Sequence, residues 1–213
     1  AVRDLASFQR LTGIEFTMEQ AADIKLTLAK FPLSVTPYYL SLIEQDHWRN
    51  DPVYRQSFPM SAETVIGQND MIDPLAEDAD SPAPNITHRY PDRVLFYVSG
   101  VCAMYCRHCT RKRKVGGGPA AITDRQLDQG IDYLKRHPEV RDVLLSGGDP
   151  FLLSDDRIEQ ILRRLREEVP TVEIIRFGSR LPVTMPQRIT PKLVAFTSTT
   201  LTTILIFASG MKM

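Results

Sequence analysis

The sequence has no excess of either charge, no long apolar run and very little cysteine, and each shortage removes a class of protein. Lysine plus arginine and aspartate plus glutamate are equal at 26 each. Overall charge therefore predicts no polyanionic partner, and any basic patch must be local. The longest apolar run, residues 204–208, falls far short of the roughly 20 residues a membrane helix requires. Residues 1–9 mix Arg3 and Asp4 with isolated apolar side chains and do not read as a secretory leader. Only three cysteines occur, all within residues 102–109. They are odd in number and too close for useful disulfide pairing, which favours a reducing compartment and a metal or redox role. The expected location is the cytoplasm. The remaining composition, 43% hydrophobic and 24% charged over 213 residues, is that of a soluble globular protein with one domain and a smaller appendage.

What is present changes texture twice. Residues 1–50 read as helical: Met18, Ala21, Ile24, Leu26 and Leu28 recur near helical spacing behind a Thr17 cap, and Thr36-Pro37 opens a short helix through Leu40, Leu42 and Ile43. Residues 51–93 are rich in Pro, Asp and Asn, and predict an irregular connection. From Val94 strands and helices alternate. Buried strands are expected at 94–98, 143–145 and 172–177; Thr123 and Ser154 cap the helices between them. Two βαβ units in a row imply parallel strands, hence an α/β barrel or open sheet, and three strands are too few to close a barrel. After Val194 the chain turns Ser/Thr-rich and loses charge until Lys212, the wrong composition for a third amphipathic helix. A truncated or frame-shifted tail is expected there, or else a β-branched strand. The expected regions are 1–85, helical with the irregular connection; 86–194, the first part of an α/β barrel; and 195–213, a divergent tail.

The chemistry gathers directly after the first strand. Cys102-Ala103-Met104-Tyr105-Cys106-Arg107-His108-Cys109 has the spacing C-x₃-C-x₂-C. Most [4Fe–4S] clusters take four thiolates, so three leave one iron open to a small molecule. A closed zinc site needs four ligands, and His108 would compete with its neighbour Cys109 for space. Taken alone, three clustered cysteines leave a metal site and redox thiols equally open. Ser146-Gly147-Gly148-Asp149 follows the second strand at the same end, where reactive groups of βα arrays collect. Its glycines allow close backbone approach or positive φ. Read alone it is a plain strand-to-helix turn. The basic run Arg107, His108, Arg111, Lys112, Arg113, Lys114 sits inside the cysteine loop and is short, so nucleic-acid binding is not expected. Arg113 and Lys114 read as solvent-facing.

The cysteine spacing, with an aromatic residue before the second Cys, resembles the radical S-adenosylmethionine superfamily. Further segments narrow this: 36–43, 51–53, Thr87-His88-Arg89-Tyr90-Pro91-Asp92-Arg93, 104–113, Asp142-Val143-Leu144-Leu145-Ser146-Gly147-Gly148-Asp149-Pro150 and Gly178-Ser179-Arg180-Leu181-Pro182-Val183. In this order they resemble the lysine 2,3-aminomutase family, over most of the chain from about 36 to 194. The resemblance implies a radical S-adenosylmethionine type of (β/α) barrel, here partial. It also implies a [4Fe–4S] cluster on Cys102, Cys106 and Cys109, S-adenosylmethionine, pyridoxal 5′-phosphate, and isomerase activity that moves an amino group from the α to the β carbon of an amino acid. By motif, Arg89 and Arg93 would bind the pyridoxal phosphate group and Tyr90 would pack on its ring. Arg111 would pair with the substrate carboxylate, a job suited to its planar fork. Ser146, Gly147, Gly148 and Asp149 would hold the methionine part of S-adenosylmethionine.

Without the motif, those arginines read as solvated surface charges and Tyr90 as a packed loop aromatic. No catalytic residue is carried over. The family's pyridoxal-bearing lysine and the acidic residues that select the substrate side chain are not matched, and neither Lys192 nor Lys212 is given that role. An amino-terminal fragment is therefore expected. The implied substrate is L-lysine, with glutamate as the alternative; the implied partners are an electron donor such as flavodoxin or ferredoxin, with homo-oligomerisation of the full-length family member. The competing readings are a radical enzyme without pyridoxal, and a non-catalytic iron–sulfur-binding fragment.

Overall fold

The computed structural model describes residues 1–116 and 121–198, together with the backbone of 203–207. Four helices come first: α1 (Leu5–Thr12), α2 (Met18–Lys30), α3 (Pro37–Leu40) and α4 (Pro52–Ser57). Their ends follow the side chains that satisfy orphan backbone N–H groups. Asp4 accepts from Ser7 N–H, Thr17 and Gln20 form a reciprocal capping box, and Asp51 accepts from Val53 and Tyr54 N–H. The helix expected behind Thr17 is present, but it is not packed through all its apolar residues. Met18 and Leu26 are 92% and 72% exposed, while Ala21, Ile24 and Leu28 pack against the core beneath.

The sheet comprises β1 (Ile86–Tyr90), β2 (Arg93–Ser99), β3 (Asp142–Gly147), β4 (Ile174–Ser179) and β5 (Thr203–Phe207), in that spatial order. β1 pairs antiparallel with β2, and every later pair is parallel. The connections between parallel strands carry α5 (Asp124–Arg136), α6 (Asp155–Glu168), the short α7 (Leu181–Thr184) and α8 (Pro191–Ser198). Thr123 and Ser154 cap α5 and α6 as their positions predict. β4 starts at Ile174 rather than Val172, because Val172 N–H closes the turn after α6 on the Val169 carbonyl.

Two expectations are corrected. The connection over 51–93 contains α4 and ends in β1, a strand hidden from the periodicity because only Ile86 is buried along it. The chain beyond Val194 does not leave the βα pattern at once. α8 continues to Ser198, held by buried Leu193 and by Thr197, whose hydroxyl donates to the Leu193 carbonyl one turn back and so hides its polarity. Backbone of β5 then pairs with β4, in line with the β-branched strand reading. Residues 199–202 and 208–213, including Lys212, lie outside the described residues.

Strand alternation assigns the two sheet faces different work. Phe96, Leu145 and Phe177 turn toward α5 and α6 and form the main core with Leu127, Ile131, Ile158 and Leu162. α5 approaches so closely that a Cβ at Gly130 would lie 2.2 Å from the Phe96 ring. Leu95, Leu144 and Arg176 line a pocket on the opposite face. A second core joins Phe8, Val35, Tyr39, Tyr54 and Phe58 of the N-terminal helical layer, and it includes Met104. No helix among the described residues is long and apolar enough to cross a membrane.

Candidate cluster and cofactor site

The loop after β2 is built by pinning successive residues into different cores. Ala103 belongs to the sheet core, whereas Met104 is buried in the N-terminal one. Backbone bonds add to this: Tyr105 N–H donates to the Ser34 carbonyl at 2.9 Å and Arg107 N–H to the Gln56 carbonyl at 2.9 Å. With the residues between them held, Cys102, Cys106 and Cys109 all remain partly exposed free thiols lining one pocket of about 290 Å³. Among the described residues, no three His, Cys, Asp or Glu side chains are already gathered into a coordination sphere. His108 lines the larger neighbouring groove of about 1120 Å³ instead of the thiol pocket.

The glycine turn meets this loop through backbone. Ser99 stands opposite Gly147 in the β2–β3 register. Gly148 N–H donates to the Ser99 carbonyl at 2.6 Å and Asp149 N–H to the Val101 carbonyl at 2.7 Å. Gly147 has φ +121°, and a Cβ on Gly148 would lie 2.3 Å from the Val101 oxygen. The two glycines are thus required by the contact between the loops themselves, an explanation that composition could not supply. Asp149 is buried and its carboxylate is engaged by protein donors: Ser179 Oγ at 2.7 Å, Arg180 N–H at 2.8 Å and Phe151 N–H at 3.1 Å. Burial pushes its pKa up despite these bonds. It ties the end of β3 to the end of β4, beside Ser146 on β3.

The charged forms of two of the thiols are disfavoured by their surroundings. Burial, reinforced by the Asp149 carboxylate and the other two sulfurs, pushes the Cys102 thiol up. Burial also raises Cys106, against the opposing pull of Arg180. Arg180 Nη1 donates to Cys106 Sγ at 3.0 Å, and Arg111 N–H donates to Cys109 Sγ at 3.4 Å. Three thiols on one loop, sharing one pocket and supplied with N–H donors, fit a cluster that takes three thiolates.

A second pocket of about 370 Å³ brings Arg89, Tyr90, Arg93 and Arg111 together and adds Arg176, which the sequence did not single out. Arg89 and Tyr90 come from β1, Arg93 from β2 and Arg111 from the cysteine loop. Carboxylates already face these cations. Arg89 Nε pairs with Asp80 at 2.7 Å, Arg93 Nε with Asp92 at 2.8 Å, Arg176 Nε with Asp142 at 2.8 Å, and Arg111 Nη2 with Glu77 at 2.6 Å. Tyr90 is 57% exposed, with the Arg93 guanidinium 5.7 Å from its ring centre.

The basic run is neutralised from within. Arg107 and Lys112 share Glu63, and Arg113 pairs with Asp73 and Asp78. Lys114 reaches Asp78 at 3.1 Å. Arg113 stays exposed, as expected, and Lys114 is half-buried, but both are paired and clamp the acidic segment 73–78 onto the cysteine loop. That clamp was missed because the acidic residues lie some 35 positions upstream in a segment without periodicity.

The comparisons with known proteins agree with this architecture. A family model described as a 4Fe-4S single cluster domain matches residues 92–204. The L-lysine 2,3-aminomutase of Acetoanaerobium sticklandii is 52% identical over 182 residues, covering 85% of this chain and 44% of the relative. That of Methanococcus maripaludis is 48% identical over 194 residues, covering 91% and 45%. The glutamate 2,3-aminomutase of Clostridioides difficile is 42% identical over 177 residues, covering 83% and 41%. The chain spans somewhat less than half the length of these curated relatives. With a cysteine loop, a glycine turn and an arginine pocket on one sheet, the chain is similar to part of the L-lysine 2,3-aminomutases and belongs to the 4Fe-4S single cluster domain family.

Proposed function

We propose that this chain supplies the cluster- and cofactor-binding part of a 2,3-aminomutase that converts L-lysine to L-β-lysine. The observation that carries the reading is the three-thiol pocket at the C-terminal end of β2, on the same sheet as a pocket lined by Arg89, Arg93 and Arg111. When bound, the cluster and S-adenosylmethionine supply one-electron chemistry and hydrogen abstraction, while pyridoxal 5′-phosphate supplies the π system for the migrating nitrogen.

The chain's own residues do the holding. Cys102, Cys106 and Cys109 would hold the cluster by three thiolates. Ser146, Gly147, Gly148 and Asp149 shape the wall against which the methionine part of the cofactor lies, with Asp149 keeping β3 and β4 in register. Arg89 and Arg93 would hold the phosphate in place of Asp80 and Asp92, and Tyr90 would pack on the cofactor. Arg111 takes the substrate carboxylate in place of Glu77. Such exchanges would replace one carboxylate partner by another oxyanion, so each guanidinium would keep a counter-charge.

This reading also assigns the parallel strands and their helices to the first part of a radical S-adenosylmethionine barrel, over 86–194 and on through α8 and β5, with residues 1–85 packed beside it. It further implies a reducing, cytoplasmic setting, an electron donor such as flavodoxin or ferredoxin, and a homo-oligomeric enzyme. Glutamate is the second substrate reading, favoured by the likeness to the Clostridioides difficile glutamate 2,3-aminomutase.

The test is anaerobic iron–sulfur reconstitution followed by electron paramagnetic resonance of the reduced protein. A [4Fe–4S]⁺ signal that changes on adding S-adenosylmethionine supports the open iron site. Folded protein that assembles no cluster would overturn the reading. Product analysis with L-lysine and L-glutamate then separates the two substrates.

A further inference from the structure

Arg180, directly after β4, is only 8% exposed, yet its side chain meets no carboxylate among the described residues. Nη1 donates to Cys106 Sγ at 3.0 Å, and Nη2 donates to the Tyr39 hydroxyl at 3.0 Å and to the Gln56 side-chain oxygen. Its carboxylate neighbour, Asp149, is spent on the Arg180 backbone N–H instead. Nε is buried without a partner. A buried cation surrounded by a phenol, an amide and a thiol is costly unless an anion completes its shell. Cys106, 3.0 Å from Nη1, is the partner through which a bound cluster would bring negative charge to the guanidinium.

We infer that Arg180 is a positioning residue that raises the reduction potential of the cluster through Cys106. The inference rests on the proposed cluster on Cys102, Cys106 and Cys109. An oxidised [4Fe–4S] core with three thiolates carries net negative charge, and one electron from an external one-electron reductant makes it more negative. A fixed guanidinium beside one thiolate stabilises the reduced form more than the oxidised form, and a hydrogen bond to sulfur acts in the same direction. The anchors come from the N-terminal layer: Tyr39 lies in α3 and Gln56 in α4, with the guanidinium 5.5 Å over the Tyr39 ring. That layer is therefore part of the redox site, because it aims the cation.

The test compares reconstituted wild type, Arg180→Lys and Arg180→Gln by redox titration with dithionite, read by electron paramagnetic resonance. Iron and sulfide content are scored separately. The expected order of potential is wild type, then Lys, then Gln, with at least a tenfold loss in the equilibrium constant for reduction in Gln, about 59 mV for a one-electron couple. Equal potentials in clusters of equal content would overturn the inference while leaving the cluster reading intact. A wild type that folds but takes no cluster removes both. Should the variants fail to fold, wild type carrying arginine labelled with ¹⁵N only in its guanidinium decides the matter. A ¹⁵N coupling to the reduced cluster in pulsed resonance is expected, and its absence would overturn the assignment.

Discussion

Arg111 and Glu77 lie 34 residues apart in sequence and meet with their charged atoms 2.6 Å apart, Glu77 being almost completely buried. This pair closes the acidic segment over the arginine pocket. Removing the carboxylate charge leaves Arg111 facing a neutral amide in a half-buried site. Glu77→Gln is expected to lower stability by about 1–3 kcal/mol. Urea unfolding with an unchanged midpoint would show that the pair contributes nothing.

Gly148→Ala is expected to prevent cluster incorporation. The new Cβ would press on the oxygen, carbon and nitrogen of Val101, at 2.3, 2.7 and 2.7 Å, and backbone cannot step aside as a side-chain tip can. The cysteine loop must shift as a whole. Iron content after reconstitution is the readout, and a full complement of iron in the variant would contradict the proposed contact between the loops.

Glu63 gives the fold an acid-sensitive joint. Burial pushes its carboxyl up, but hydrogen bonds from Arg107, Lys112 and the Met60 N–H outweigh burial and hold it at about 2. The folded value is depressed below the ordinary one of roughly 4.3. The stability it contributes is therefore fully present above that ordinary value and is lost as pH falls toward about 2. In Glu63→Gln, stability should fall less steeply over that window than in wild type. Parallel slopes in acid titrations of unfolding would remove Glu63 from the account.

An alanine in place of helical glycine usually stabilises by about 0.5–1 kcal/mol. At Gly130 the sign should reverse, because this glycine is buried and its Cβ would enter the ring of Phe96 in the main core. Gly130→Ala is expected to destabilise by about 1–3 kcal/mol. A raised melting temperature would mean that Phe96 can repack.

Helix starts were legible because a cap is a local device: Thr17, Thr123 and Ser154 each act within three or four residues of themselves. The buried strands were legible from their apolar runs. β1 was not, since Thr87, Arg89 and Tyr90 line the pocket and His88 turns to Tyr133 and His137, leaving only Ile86 buried. α8 was hidden by Thr197 and Ser198, whose hydroxyls donate back into their own helix. Of the site, the thiols were legible from their spacing, and Arg89, Tyr90, Arg93 and Arg111 were named only through the family resemblance of their motifs. Arg180 was quoted within a motif but received no role, since its meaning depends on Cys106, 74 positions away. Arg176 was legible only as one more charged residue within a strand.

The hairpin formed by β1 and β2 has a consequence for the order in which the protein matures. Arg89 and Arg93 flank a single tight turn, so their half of the arginine pocket closes from neighbouring sequence. Arg180 reaches Cys106 only after both crossover helices have docked and three parallel strands have aligned. Loop closure costs more as the separation grows, and non-local pairing is slow. The oxyanion pocket is thus expected to exist in the nascent fold before the cation beside the thiols is in place. Pulse-labelled hydrogen exchange during refolding would show β1 and β2 protected ahead of β4. Iron delivered too early would meet thiols that lack their guanidinium, which makes the timing of cluster insertion, as well as its geometry, a property written into the chain's topology.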